Sequence, residues 1–109
     1  MSKPARISKY RNVQTAVRGK VFGSKREAKR YGELKMLEDV GLIWDLKTQA
    51  VYELIPKQDG ERACSYIADF VYESSDGTHV EDTKGFRTKD YVIKRKLMLW
   101  IHKIEIEEI

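Results

Sequence analysis

The chain has 109 residues, enough for one domain with one modest core, and its mix of 41% apolar and 35% charged residues suits a globular protein with a charged surface. No apolar run nears the roughly 18 residues of a membrane helix, residues 1–6 lack the apolar stretch of a secretory signal, and the lone Cys64 rules out an intrachain disulfide and argues against a cysteine zinc site. The net charge of +4 hides an asymmetry: residues 1–30 carry ten Lys or Arg against one acid, whereas residues 31–109 are acidic overall.

Residues 1–20 show no apolar periodicity and are expected to form a flexible basic N-terminal arm. Such an arm on an acidic body suits a polyanion, with Arg18, Lys20 and Lys25 as candidate phosphate contacts; a solubilising tail is the plainer alternative. Ser24 followed by Glu27 reads as a capping box, which predicts a helix from about Ser24 to Val40 that stops at Gly41. Tyr31, Leu34 and Leu37 make its buried stripe, and Glu27 falls on that stripe. Glu27 is therefore either a cap or a functional acid, with Glu33, nearer the stripe's edge, as its rival. Strands are expected at 42–46 and 48–55, the second ended by Pro56, with a turn at 57–61. Runs 66–72 and 78–85 flank Glu73-Ser74-Ser75-Asp76-Gly77, a hairpin turn with glycine where a positive φ is needed. A second helix follows over Lys89–His102 with an apolar stripe of Ile93, Leu97, Trp100 and Ile101; Trp44 and Trp100 are expected in the core. Residues 103–107 alternate as a last strand. The order α-β-β-β-β-α-β is of α/β (α+β) class, a single domain over 21–109.

The informative residues lie in the two hairpin strands. Alternate residues of a strand share a face, so Asp82 and Lys84 fall with Val80, and Asp69 falls with Ile67 and Val71. Two carboxylates and an ammonium then converge at the end of a mostly apolar hairpin. Unpaired charges in apolar surroundings are costly, and a divalent cation is a suitable partner. The basic helix that follows offers Lys89, Lys94, Arg95 and Lys96 as phosphate contacts, or as a solvated face. Glu81 reads as surface or as support for the site, His79 as a strand surface residue, and His102 as a favourable charge near a helix C-terminus. Tyr66, Tyr72 and Tyr91 read as core, or as platforms for stacked bases.

The run Asp69 … Asp82-Thr83-Lys84 resembles the PD-(D/E)xK signature of the restriction-endonuclease-like nucleases. The ordered set 22–31, Gln49, 66–70 and 80–85 is similar to a small phage-associated group of that superfamily over about residues 21–106. Two departures are Ala68, where the signature's name has proline, and Asp82, where glutamate is commoner. The resemblance implies a central mixed sheet flanked by helices and a Mg²⁺-dependent phosphodiesterase in which Mn²⁺ substitutes. Mg²⁺ is a hard cation that takes carboxylate oxygens, so Asp69 and Asp82 would be ligands, with Glu27 completing the shell directly or through water. Lys84 would orient or deprotonate the attacking water or neutralise developing charge. By the same resemblance Gln49 would position water or phosphate. The expected protein is a metal-dependent DNA endonuclease in the cytoplasm (of a bacterial host, if phage-encoded), with structure-selective cutting of branched or junction DNA plausible at this size. Symmetric substrates of that kind favour a homodimer. The rivals are a non-catalytic nucleic-acid-binding protein, a protein-interaction module, and a nuclease subunit active only within a larger recombination, transposition or packaging complex.

Overall fold

A computed structural model describes residues 15–109. It begins with a short hairpin, β1 (Thr15–Val17) and β2 (Lys20–Phe22), followed by helix α1 (Lys25–Asp39). Three strands come next: β3 (Trp44–Ile55), β4 (Cys64–Ser74) and β5 (Gly77–Asp82). Helix α2 (Lys89–Leu97) runs on into a π-helical turn (Met98–His102), and β6 (Glu107–Glu108) ends the fold. The main sheet has the order β3-β4-β5-β6, with β6 parallel to β5 and the other pairs antiparallel. It is a mixed four-stranded sheet with two helices, an α+β protein. Among the described residues no helix is long and apolar enough to cross a membrane.

The two helices cover opposite sides of the sheet. Adjacent residues of a strand face opposite ways, and β4 puts Phe70 and Tyr72 against Ala28, Tyr31 and Leu34 of α1. Val71, between them, joins Val80, Tyr91, Met98 and Ile106 on the α2 side. Phe22 of β2 closes the first core, its ring 4.9 Å from that of Tyr31.

Helix α1 starts as its sequence dictates. Ser24 is extended, and its side chain accepts from the Glu27 amide at 3.1 Å, satisfying one of the donors a helix start leaves unpaired. Ser24→Ala is expected to lower unfolding free energy by about 1 kcal/mol, read as a shift in the urea midpoint at unchanged slope. At the other end Gly41 takes φ +81°, the left-handed conformation that stops the helix.

Several expectations change. Residues 15–22 of the expected basic arm form the β1–β2 hairpin instead, packed beside α1; residues 1–14 lie outside the described part. The two strands expected at 42–46 and 48–55 are one continuous strand, irregular between Trp44 and Lys47, with positive φ at Asp45 and Gln49. The element order is therefore β-β-α-β-β-β-α-β. Trp44 and Trp100 are exposed rather than core. The apolar stripe of α2 is also displaced. Tyr91 and Met98 face inward, while Ile93 and Trp100 face solvent. The π-helical turn has a wider repeat than the 3.6 residues the stripe assumed, which rotates everything after Leu97. The last strand shortens to two residues, yet Ile104 and Ile106 still point into the core.

Candidate active site

Strands β4 and β5 climb side by side from Gly77 to the pair Phe70–Glu81, where the ladder ends. In register, the next opposed pair is Asp69 and Asp82, and opposed residues of antiparallel strands share a side. The strands part here because Asp69 takes the place of a backbone acceptor. Its Oδ2 accepts from both the amide and the hydroxyl of Thr83, each at 2.8 Å.

On its other edge Asp69 stands opposite Gln49 of β3, between the pairs Thr48–Phe70 and Ala50–Ala68. Both strands turn over at this point. Leu46 packs on the α1 side but Ala50 and Tyr52 on the α2 side; likewise Phe70 packs under α1 but Tyr66 and Ala68 under α2. Strict alternation would keep each set together. Gln49 absorbs the change in β3 with φ +53°, a conformation uncommon for a residue other than glycine. Asp69 therefore does not share a face with both Ile67 and Val71, as alternation alone implied: Val71 is core and Ile67 is exposed.

The turnover brings β3 to α1. Gln49 Nε2 donates to Glu27 Oε2 at 3.1 Å. Glu27 thus caps its helix through its amide while its carboxylate reaches the site. Burial first, then the charges of Asp69 and Asp82, hold the Glu27 carboxyl above the usual range. Glu33 is exposed and pairs with Arg30, which makes Glu27 the acid of α1 that feels the two aspartates.

Asp82 is buried, at 3% exposure. Tyr66 donates to its Oδ2 at 2.6 Å, and Lys84 Nζ lies 3.4 Å from its Oδ1. Burial pushes the Asp82 carboxyl up, and Asp69 adds to this; the Tyr66 bond and Lys84 oppose it without prevailing. Burial, then the bond to Asp82, pushes the Tyr66 phenol well up.

Lys84 is held from two directions. Its ammonium stands 4.4 Å above the Tyr91 ring centre, within cation–π range, and Arg26 of α1 donates to its carbonyl at 2.9 Å. Tyr91 is fixed in turn by its hydroxyl, 2.7 Å from Glu108, which also takes Arg87 and Arg95. The Arg87 bond, then the Tyr91 bond, lowers the Glu108 carboxyl to about 2. A carboxyl depressed in the folded state stabilises above its unfolded pKa of about 4.3. That contribution is lost as pH falls through the folded value. Wild type is expected to lose stability between pH 4.5 and 2 more steeply than Glu108→Gln, read from urea midpoints across that window.

The candidate phosphate contacts divide. Lys94 lines a cleft of about 280 Å³ with Tyr66, Asp82, Lys84 and Thr88. Lys20 lies across the site, 3.4 Å from the Thr48 hydroxyl, in a cleft of about 440 Å³ that reaches Glu27 and Gln49. Lys25 and Lys89 are exposed at the starts of their helices. Lys96 turns to a third cleft, with Arg95 and Glu108, which holds none of the paired carboxylates. Arg18 is bound to Asp39 at the far end of α1, about 18 Å along the helix from Glu27 at 1.5 Å per residue.

Sequence reasoning missed Tyr66, Thr83, Tyr91, Glu108 and Arg26 as partners of the site. It also placed Glu81 at the surface or in support of the site, whereas Glu81 is fully buried on the α1 side. His79 is half-buried, stacked on Tyr72 and bonded between Ser74 and Glu107. His102 bonds the Glu53 carbonyl at 2.7 Å.

The donor set fits a hard cation in part. Asp69 and Asp82 oppose each other with one oxygen each outside the Thr83 and Tyr66 bonds, and their mutual repulsion is what a divalent cation relieves. Among the described residues, however, no three His, Cys, Asp or Glu side chains stand close enough to form a closed metal cage. The two observations agree if Glu27 acts at longer range, since Mg²⁺ commonly keeps several waters and takes only one or two carboxylates.

Fold and site together define a small α+β protein with a partly buried carboxylate–lysine centre where a sheet turns over. The chain belongs to a family described as a protein of unknown function (DUF1064), whose model matches residues 7–106. Neither the curated proteins nor the solved structures contain a match to it.

Proposed function

We propose that this protein is a metal-dependent endonuclease of the restriction-endonuclease-like type, hydrolysing phosphodiester bonds in DNA. The observation that carries the reading is the opposition of Asp69 and Asp82 at the end of the β4–β5 ladder, with Lys84 beside Asp82 and Glu27 in the field of both. Structural ion pairs seldom leave two buried or half-buried acids facing each other with one lysine between three carboxylates. Strongly perturbed carboxyls beside a cleft are a recurrent mark of functional sites.

Asp69 and Asp82 would hold Mg²⁺ or Mn²⁺, with Glu27 bound through water. When bound, the cation activates water and stabilises charge on the phosphate. The residues themselves do the rest. Tyr66 and Thr83 each occupy one oxygen of an aspartate, so the remaining oxygens are fixed in direction. Lys84 places a positive charge beside Asp82, where it can orient the attacking water or neutralise the phosphate oxygens. Lys94 and Lys20 flank the centre and suit backbone phosphates, so binding should weaken steeply with salt. A cytoplasmic location and a twofold dimer belong to the same proposal.

The test is cleavage of supercoiled plasmid and of a labelled four-way junction with Mg²⁺, with Mn²⁺ and with EDTA. Cutting in either metal and none in EDTA is expected. DNA binding without cutting in any metal would favour a non-catalytic DNA-binding protein, the reading that the open carboxylate geometry supports.

A further inference from the structure

The larger cleft beside the centre has no role in the chemistry above. It lies between β2 and β3, measures about 440 Å³, and is bounded by Lys20, Val21, Gly23, Glu27, Thr48 and Gln49. Its size falls within the 300–1,000 Å³ typical of small-ligand sites. Its chemistry is uneven in a useful way. Val21 is 63% exposed and gives an apolar wall. Lys20 gives an ammonium whose 3.4 Å bond to Thr48 is long enough to exchange readily for a stronger partner. The Thr48 hydroxyl and the Gln49 amide give a donor and acceptor edge, and Glu27 marks where the cleft meets the carboxylates.

This cleft and the Lys84–Lys94 cleft stand on opposite sides of the aspartate pair, since one includes Glu27 and Gln49 and the other Asp82 and Tyr66. A strand crossing the centre would place one flanking nucleotide in each. A base that fills a cleft cannot also be stacked and paired within a duplex.

We propose that the β2–β3 cleft is a subsite for one unpaired nucleotide next to the phosphodiester at the carboxylate centre, an inference that rests on the nuclease reading of that centre. Lys20 takes the phosphate, Val21 packs on the base, and Thr48 with Gln49 meets its polar edge. The substrate class is then DNA with an unpaired nucleotide at the cut, as at a fork or branch. Paired DNA has to unstack a base first, which disfavours it, whereas an already unpaired base incurs little of that cost.

Gly23 makes the test clean. A Cβ there meets no atom within 4 Å, and its φ is not positive, so a larger side chain projects into open space without straining the fold. Wild type, Gly23→Leu and Lys20→Ala would be titrated in EDTA against a labelled fork and a duplex of equal length. The fork would carry 2-aminopurine at its first unpaired position. Wild type is expected to prefer the fork on the order of tenfold and to change the 2-aminopurine emission. Gly23→Leu should lose the preference and the emission change while keeping duplex affinity and thermal midpoint. Lys20→Ala should weaken fork binding with a smaller salt slope. Equal affinity of wild type for fork and duplex overturns the proposal, as does a Gly23→Leu protein that keeps the preference. Neither readout uses cleavage. Failure of the nuclease reading alone appears as fork preference without metal-dependent cutting, and failure of the subsite alone as cutting without preference.

Discussion

Replacing Lys84 by alanine is expected to slow metal-dependent DNA cleavage by about 10²–10⁴-fold, the range for removing a positioned proton-transfer group, and to leave the fold intact. Lys84 is the cation nearest the paired acids, 3.4 Å from Asp82 Oδ1, and its side chain retains 28% exposure. It belongs to neither apolar core, so truncation opens no cavity. Its chain contacts are the Tyr91 face and the Arg26 bond to its carbonyl, and the second survives any substitution. Tyr91 provides a graded control. Tyr91→Phe keeps the ring under the ammonium and loses only the Glu108 bond, so its rate should stay closer to wild type than that of Lys84→Ala. A thermal midpoint measured on the same samples separates loss of chemistry from loss of fold. Cleavage by Lys84→Ala at the wild-type rate, with a matching midpoint, would remove Lys84 from the reaction and with it the proposed centre.

The convergence of Asp69 with Asp82 and Lys84 was legible because it depends on local quantities. One hairpin turn, with Gly77 at φ +116°, sets the β4–β5 register, and register decides which residues oppose each other. The cap at Ser24 and the stop at Gly41 are local in the same sense. The turnover at Gln49 was not legible. Period-two reasoning assumes every residue of a strand has ordinary β dihedrals, and nothing in glutamine signals a positive φ. The missed partners share another cause. Tyr66 and Asp82 are sixteen residues apart, and Arg26 and Lys84 fifty-eight, so their bonds exist only once the helices dock on the sheet. In sequence Tyr66 was simply a strand aromatic and Arg26 one base among ten in the first thirty residues. The α2 stripe failed because the spacing it assumed ends at Leu97, where the π-helical turn begins.

Glu81 offers a separate test of the fold. It is adjacent to Asp82 but points to the α1 side and is fully buried. Arg30 grips it with two bonds, at 2.7 and 2.6 Å, and the Tyr72 hydroxyl donates to the same carboxylate. The Glu81 bond is the main reason the Arg30 guanidinium holds its proton even more firmly than usual. This cluster joins α1 to the central strands on the side away from Lys84. Arg30→Ala leaves a carboxylate in the core with only a phenol as partner. Removing one member of a buried pair typically costs about 3–5 kcal/mol, a large share of the roughly 5–15 kcal/mol that stabilises a domain. Urea unfolding of Arg30→Ala should show that loss directly. Replacing all three polar groups together, as Arg30→Met, Glu81→Leu and Tyr72→Phe, should recover most of it, because no charge or hydroxyl is then left unpaired. A loss below about 1 kcal/mol for Arg30→Ala would place the pair with ordinary surface ion pairs and show that α1 is held by its apolar stripe alone.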